Sequence, residues 1–210
     1  MRTQRAIATI AASVLLLTAP LAAAATFEPK PHHVFDVNQP GPIGDIAIWV
    51  EPVPSSVSAV RGKAVIQSLD PHRLYAPAFS IVFISGDEVL RLRLINEDRK
   101  SNALLAYLRR ERLEDSSDLA MTMRSRKKLA KREVRMQSVV RQGEPFDIGA
   151  SWTPDGAIDL MIKAGRKEEH VTVKMAGPPT EMRVIASSGH WTILPFEMGE
   201  MRAEDPEADL

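Results

Sequence analysis

The stretch EPFDIGASWTPDGAIDLMI, Glu144–Ile162, decides the fold. Within it Phe146, Ile148, Ala150 and Trp152 alternate with Asp147, Gly149 and Ser151. A repeat of two sends apolar side chains to one face of a strand and small or polar ones to the other. Thr153-Pro154-Asp155-Gly156 then supplies a proline of fixed φ and a glycine able to take a positive φ, which is the chemistry of a tight turn. Ile158, Leu160 and Ile162 resume the alternation beyond it. The segment therefore predicts an antiparallel β-hairpin with one buried face.

The same period continues on both sides. Phe79, Ile81 and Phe83 form one apolar row, and Leu90, Leu92 and Leu94 another, the latter with Arg91 and Arg93 on the opposite face. Val171, Val173 and Met175, then Met182, Val184 and Ala186, follow the hairpin. Turn formers separate these rows: Ser85-Gly86-Asp87, Gly177-Pro178-Pro179 and Ser188-Gly189. Short alternating strands punctuated this way describe a sandwich or barrel. Two segments fit less directly. Asn102–Glu114 (NALLAYLRRERLE) is rich in helix formers, yet it occupies the place of a hairpin partner, so a strand is expected from pairing overriding propensity. Ser125–Arg132 reads as a long basic loop or one helical turn.

The chain has 210 residues and no cysteine, which suits one domain held by its core without disulfides. Residues 1–25 have the layout of a secretory signal peptide. Arg2 and Arg5 precede the apolar run Ala6–Leu17, Pro20 breaks it, and small residues surround a cleavage point after Ala24 or Ala25. An uncleaved membrane anchor is the alternative reading of that length. Without Arg2 and Arg5 the chain holds 25 basic against 27 acidic residues, so no overall charge calls for nucleic acid. The expected organisation is a signal peptide (1–25), a proline-rich extended lead-in (26–43), a β-sandwich domain (44–199) and an acidic disordered tail (200–210). The expected location is periplasmic or secreted, with no stable membrane insertion after cleavage.

The strand order resembles the concanavalin A-like lectin/glucanase superfamily, including its laminin-G-like branch. Gly44–Pro52 (GDIAIWVEP) is similar to the opening strand of these domains, and Glu144–Trp152 with Pro154-Asp155-Gly156 and Ile158–Ile162 to their central strand, hairpin and continuation. Gly165-Arg166 falls where the family often places the next turn. The resemblance covers about Gly44 to Met198 and rests on short apolar motifs. It implies an all-β fold, an antiparallel two-sheet jelly-roll sandwich, and a group that spans lectins, glycosidases, polysaccharide lyases and adhesive modules. A fold shared so widely does not select a function.

Catalytic signatures are missing. A retaining glycosidase needs two neighbouring carboxylates, and on a strand an alternating Glu-x-Asp-x-Glu would send them to one face. No such run occurs; Glu97-Asp98, Glu114-Asp115, Asp118, Asp155 and Asp159 read as solvated acids in or near turns, and Glu168-Glu169-His170 as an exposed loop. The other histidines, His32, His33, His72 and His190, have no metal-ligand spacing, and no Gly-x-Ser-x-Gly or phosphate loop is present. No cofactor is expected; a structural calcium would be compatible with loop carboxylates, but no ligand set is identifiable.

Two features offer binding chemistry. Arg124, Arg126, Lys127, Lys128, Lys131, Arg132 and Arg135 form a basic cluster relieved only by Glu133. It suits an anionic envelope polymer or an acidic partner, or serves as a solvated loop that keeps a sheet edge from aggregating. Tyr75 with Arg73, in the polar loop Asp70–Pro77, offers an exposed ring for a sugar. Trp152 shares parity with the core row, and Trp49 and Trp191 are open. The expected function is a non-catalytic exported sandwich that binds glycan or another envelope component. The alternatives are a diverged polysaccharide lyase or hydrolase, and a structural adaptor for an envelope protein.

Overall fold

The computed structural model describes residues 25–35, 46–69, 76–98, 100–116 and 133–203. Thirteen strands run through them. These are β1 (Ala25–Phe35), β2 (Ile46–Pro52), β3 (Ala59–Ser68), β4 (Ala78–Ser85), β5 (Glu88–Ile95), β6 (Ala103–Arg112), β7 (Val134–Arg141), β8 (Pro145–Trp152), β9 (Ala157–Ala164), β10 (Lys167–Lys174), β11 (Glu181–Ser187), β12 (His190–Ile193) and β13 (Phe196–Ala203). A single 3₁₀ turn at Leu113–Asp115 follows β6. All pairings are antiparallel: a seven-stranded sheet ordered β1-β13-β3-β8-β9-β10, with β12 also on β3, faces a six-stranded sheet ordered β2-β11-β4-β5-β6-β7. This is the antiparallel two-sheet jelly-roll sandwich expected from the sequence.

Alternation builds the core between the sheets. Phe146, Ile148, Ala150 and Trp152 of β8 and Ile158, Leu160 and Ile162 of β9 meet Phe79, Ile81 and Phe83 of β4 and Leu90, Leu92 and Leu94 of β5 in one buried cluster. Aromatic rings cross the gap: Phe79 lies 5.6 Å from both Phe146 and Trp191, and Phe83 lies 6.0 Å from Trp152. Trp191 is fully core, and Trp49 packs half-buried against the core cluster. The hairpin glycine, Gly156, takes φ +86°. Its missing Cβ lets the Met175 carbonyl approach to 2.7 Å from where that atom would stand.

Strand pairing settles the remaining local readings, the first as expected. Asn102–Glu114 is mostly β6, so pairing with β5 and β7 prevails over helix propensity. The proline-rich lead-in contains β1, which pairs with β13 at the sheet edge. Its register breaks between Pro29 and Val34, around Pro31, in keeping with the confinement of proline to edges and bulges. The last strand continues to Ala203, into the acidic stretch that begins at Glu200. Glu168, Glu169 and His170 are in β10, not a loop.

Glu169 shows why that strand holds. Its carboxylate accepts hydrogen bonds from the Gln137 amide (2.9 Å), the Ser138 amide (2.7 Å) and the Ser138 hydroxyl (2.6 Å), so the edge of one sheet is tied to the edge of the other. Burial alone would raise its pKa; these donors outweigh burial and hold the carboxyl below the usual glutamate range. Glu169→Ala leaves the fully buried Ser138 donors unpaired and is expected to cost about 2 kcal/mol in urea unfolding. For a lowered carboxyl the stabilisation is present above the unfolded-state pKa and is lost as pH falls through the folded value. The penalty of the substitution should therefore fade in acid.

Candidate functional site

The outer face of the seven-stranded sheet is assembled by register. Lys63 of β3, Asp147 of β8, Lys163 of β9 and Glu168 of β10 are successive cross-strand partners, so charge alternates across four strands. Lys63 pairs with Asp147 and Lys163 with Glu168, each at 3.2 Å. Exposed pairs of this kind add little stability; their effect is to leave the row without net charge.

The neighbouring row runs Glu197, Arg61, Gly149, Met161 and His170. At its centre Gly149 is buried, with Arg61 Cγ 3.4 Å and Met161 Cε 3.5 Å from where its Cβ would stand, and Met161 itself lies half-buried. A Cβ at Gly149 would stand 2.9 Å from the Val60 carbonyl oxygen, so the close approach of β3 and β8 requires glycine here. Gly149 lines a recess of about 80 Å³ together with Arg61, Met161 and His170, and a groove of about 650 Å³ that shares Arg61, Met161 and Glu168 with it is also lined by Lys63, Asp147 and Glu197. The Arg61 guanidinium lies 4.8 Å from the centre of the Phe27 ring, which fixes the cation at one rim.

The other rim carries His170. Its Nδ1 lies 2.8 Å from Asp159 Oδ2 and its Nε2 3.0 Å from Glu168 Oε1. The Thr172 hydroxyl donates to the second Asp159 oxygen at 3.2 Å. A neutral imidazole has one donor and one acceptor nitrogen, so both ring nitrogens can donate to carboxylates only as imidazolium. The Asp159 and Glu168 hydrogen bonds raise the His170 pKa, while His170 and Lys163 hold Glu168 below the ordinary glutamate range. Asp159→Asn should move the His170 titration measured by NMR back toward the ordinary histidine value. An unchanged midpoint would contradict the bridge. The sign is that of a raised group: the His170 contribution is complete below the unfolded-state value and is lost as pH rises through the folded one.

The outer face of the six-stranded sheet is different. Arg91 and Arg93, opposite the leucine row of β5, are 2% and 5% exposed, and Arg109 of β6 is also buried, so they do not form an open cationic surface. Arg91 and Arg109 are direct cross-strand partners, an arrangement of like charge that needs compensation. Arg109 pairs with Glu111. Arg93 donates to Glu133 at 3.2 Å, and Arg91 to the Ser116 hydroxyl at 3.2 Å. Burial pulls the Arg93 pKa down and pushes the Glu133 carboxyl up, opposed by the three arginines. Tyr107 donates to Glu97 at 2.7 Å; burial, then Glu97, pushes its hydroxyl up to about 12, which keeps it protonated at neutral pH.

The residues singled out for binding, Arg73, Tyr75, Arg124, Arg126, Lys127, Lys128, Lys131 and Arg132, lie outside the described residues. Arg135, within β7, is described, and it stands opposite Tyr107. The cleft residues Arg61, Lys63, Asp147, Met161 and Lys163 escaped sequence reasoning, although the parity of Asp147, Gly149 and Ser151 marked the face. Among the described residues no three His, Asp or Glu side chains group as metal ligands.

No family model and no curated protein matches the chain. Among solved structures it is similar to scytalido-glutamic peptidase with a transition state analog inhibitor, at 10% identity and a TM-score of 0.44 over 71% of this chain and 66% of that one. It is similar to CG-16, a homodimeric agglutinin from chicken liver, at 12% identity and 0.42 over 74% and 98%. A legume lectin-like domain from Entamoeba histolytica gives 9% identity and 0.42 over 85% and 88%. The chain thus spans just under two thirds of the peptidase's length. At these identities the likeness is to a β-sandwich outline alone.

Proposed function

We propose that the chain is an exported, non-catalytic β-sandwich protein that binds a neutral glycan of the cell envelope in the cleft over Gly149. The observation that carries this reading is the groove at Arg61, Asp147 and Met161, beside the Gly149 recess, next to a charge row without net charge. A sugar ring has an apolar face and a polar edge. Met161 offers a surface for the first, while Arg61 and Asp147 offer hydrogen bonds to the second. Cations already paired with carboxylates give a polyanion no net attraction at this face. In this groove paired-carboxylate catalysis finds little support, because a general acid needs a raised pKa and Glu168 is lowered. Export rests on the amino-terminal Arg2–Ala25 pattern.

Isothermal titration of the purified protein with neutral and anionic polysaccharides, at low and moderate salt, tests the reading. Salt-tolerant binding of a neutral glycan is expected. Arg61→Ala, outside the core, should weaken it about tenfold, the equivalent of one or two hydrogen bonds. Salt-sensitive binding of anionic polymers alone, abolished by neutralising Lys127 and Lys128, would replace this reading with one centred on the basic cluster. Binding lost only on Tyr75→Ala would move the sugar site to the loop Asp70–Pro77. No binding at all would leave the adaptor reading.

A further inference from the structure

A second concavity lies at the end of the sandwich where the β2–β3 connection, the β8–β9 turn and the β10–β11 connection meet. It is a pocket of about 240 Å³. Pro54, Pro154, Pro178 and Pro179 stand in its walls, and the buried Trp152 and Val57 close its base. The walls are bonded to one another without any ligand. The Val53 amide donates to the Thr180 carbonyl (2.9 Å), the Val57 amide to Pro54 (2.9 Å) and the Met175 amide to Gly156 (2.8 Å). The Trp152 indole N–H donates to the Val57 carbonyl at 3.1 Å, which fixes the ring. A pocket held in this way loses little entropy on binding.

The chemistry of the walls selects the ligand. Proline has no amide N–H, so four prolines and an indole already engaged by Val57 present C–H and ring surface rather than donors. Of the lining hydroxyls, Thr180 donates to the Ile84 carbonyl and Ser58 accepts from the Met201 amide, which leaves few donors for a sugar's hydroxyl edge. Trp152 is tilted against Phe83, with centroids 6.0 Å apart and planes at 56°, so a ring entering from outside extends an aromatic row that starts in the core. An apolar cavity of roughly 150 Å³ holds one benzene ring. The larger volume here therefore admits a ring with a short substituent. The surroundings separate a free molecule from a protein side chain. Among the described residues the exposed large hydrophobics are Ile48, Val50, Leu113, Val134, Val139 and Leu194, and none of them lines the pocket. The exposed lining is Ser55, Pro154, Pro178 and Thr180, and none of those large hydrophobics extends it into the patch a protein partner would cover.

We propose that this pocket is a ligand site separate from the Gly149 cleft, and that it takes a small molecule carrying a single aromatic ring. The test is an amide NMR titration of the whole protein with benzyl alcohol, with cyclohexylmethanol and methyl glucoside as comparisons. Benzyl alcohol should give saturable shifts confined to the amides of Ser55, Gly156 and Thr180, with ring contacts to Trp152. Cyclohexylmethanol should bind about fivefold more weakly, the margin of an aromatic pair. Ser55→Phe places a competing ring at the exposed rim and should abolish the shifts while the rest of the spectrum stays in place. Pro178→Ala, also exposed, should weaken binding about threefold by removing one wall, and serves if the phenylalanine variant fails to fold. Shifts that do not saturate, equal binding of cyclohexylmethanol, the same shifts with methyl glucoside, or binding untouched by the folded variants would each overturn the proposal.

Discussion

Replacing Arg93 with alanine is expected to destabilise the fold by about 3–5 kcal/mol, the range for removing one partner of a buried ion pair. The side chains of Arg93 and Glu133 are 6% and 4% exposed, and the pair is 3.2 Å apart. Without the guanidinium, Glu133 is a carboxylate that has lost its closest counter-charge in a site that already pushes its pKa up. The loss should shrink on acidification, because Glu133 can then take a proton and cease to be a buried charge. Replacing both members, as Arg93→Met with Glu133→Leu, should recover most of the loss, since apolar side chains of similar volume need no partner. Urea unfolding at neutral and acid pH measures all three effects. A single-variant loss below about 0.5 kcal/mol, typical of surface sites, would show that the pair is solvated.

Phe196→Ala should cost a comparable 3–5 kcal/mol or so, as expected for deleting a fully buried ring. Its environment gives the variant a particular partner. Gly62 points inward from β3, and a Cβ there would stand 2.4 Å from Phe196 Cε1 and 2.5 Å from Cδ1. The ring has no exposure and no space to yield, so Gly62→Ala alone should destabilise by about 1–3 kcal/mol through overpacking. The two changes are coupled: alanine at position 62 fills part of the space that Phe196→Ala empties, so the double variant should be more stable than the sum of the singles implies. A double-mutant cycle from denaturation midpoints reads the coupling. Additive losses would mean that the glycine does not serve to seat the ring.

What could be read from the sequence follows which information is local. The parity of Phe146 to Trp152 and of Leu90 to Leu94 is written in a few adjacent residues, and it assigns the core correctly. Parity also put Arg91 and Arg93 on the opposite face, but it does not say whether that face meets solvent, so their burial was not legible. Lys167–Lys174 opens with Lys-Glu-Glu-His, a poor strand former by composition, and becomes β10 through its ladder with β9 and the Glu169 seam to β7. The charge row on the seven-stranded sheet depends on the registers of three strand pairs, and the Asp159–His170–Glu168 bridge on one of them. Neither can be read from spacing. The hairpin turn at Gly156 was nonetheless enough to predict that β8 and β9 are neighbours, which brings Asp147 and Lys163 together.

The cleft over Gly149 is tested most directly by mapping amide shifts while a neutral oligosaccharide is titrated into the labelled protein. Saturable changes are expected at Arg61, Gly149, Met161 and His170, retained at moderate salt, with the outer face of the six-stranded sheet silent. Shifts that avoid those four positions, or a spectrum that no neutral oligosaccharide alters, would contradict a glycan site there.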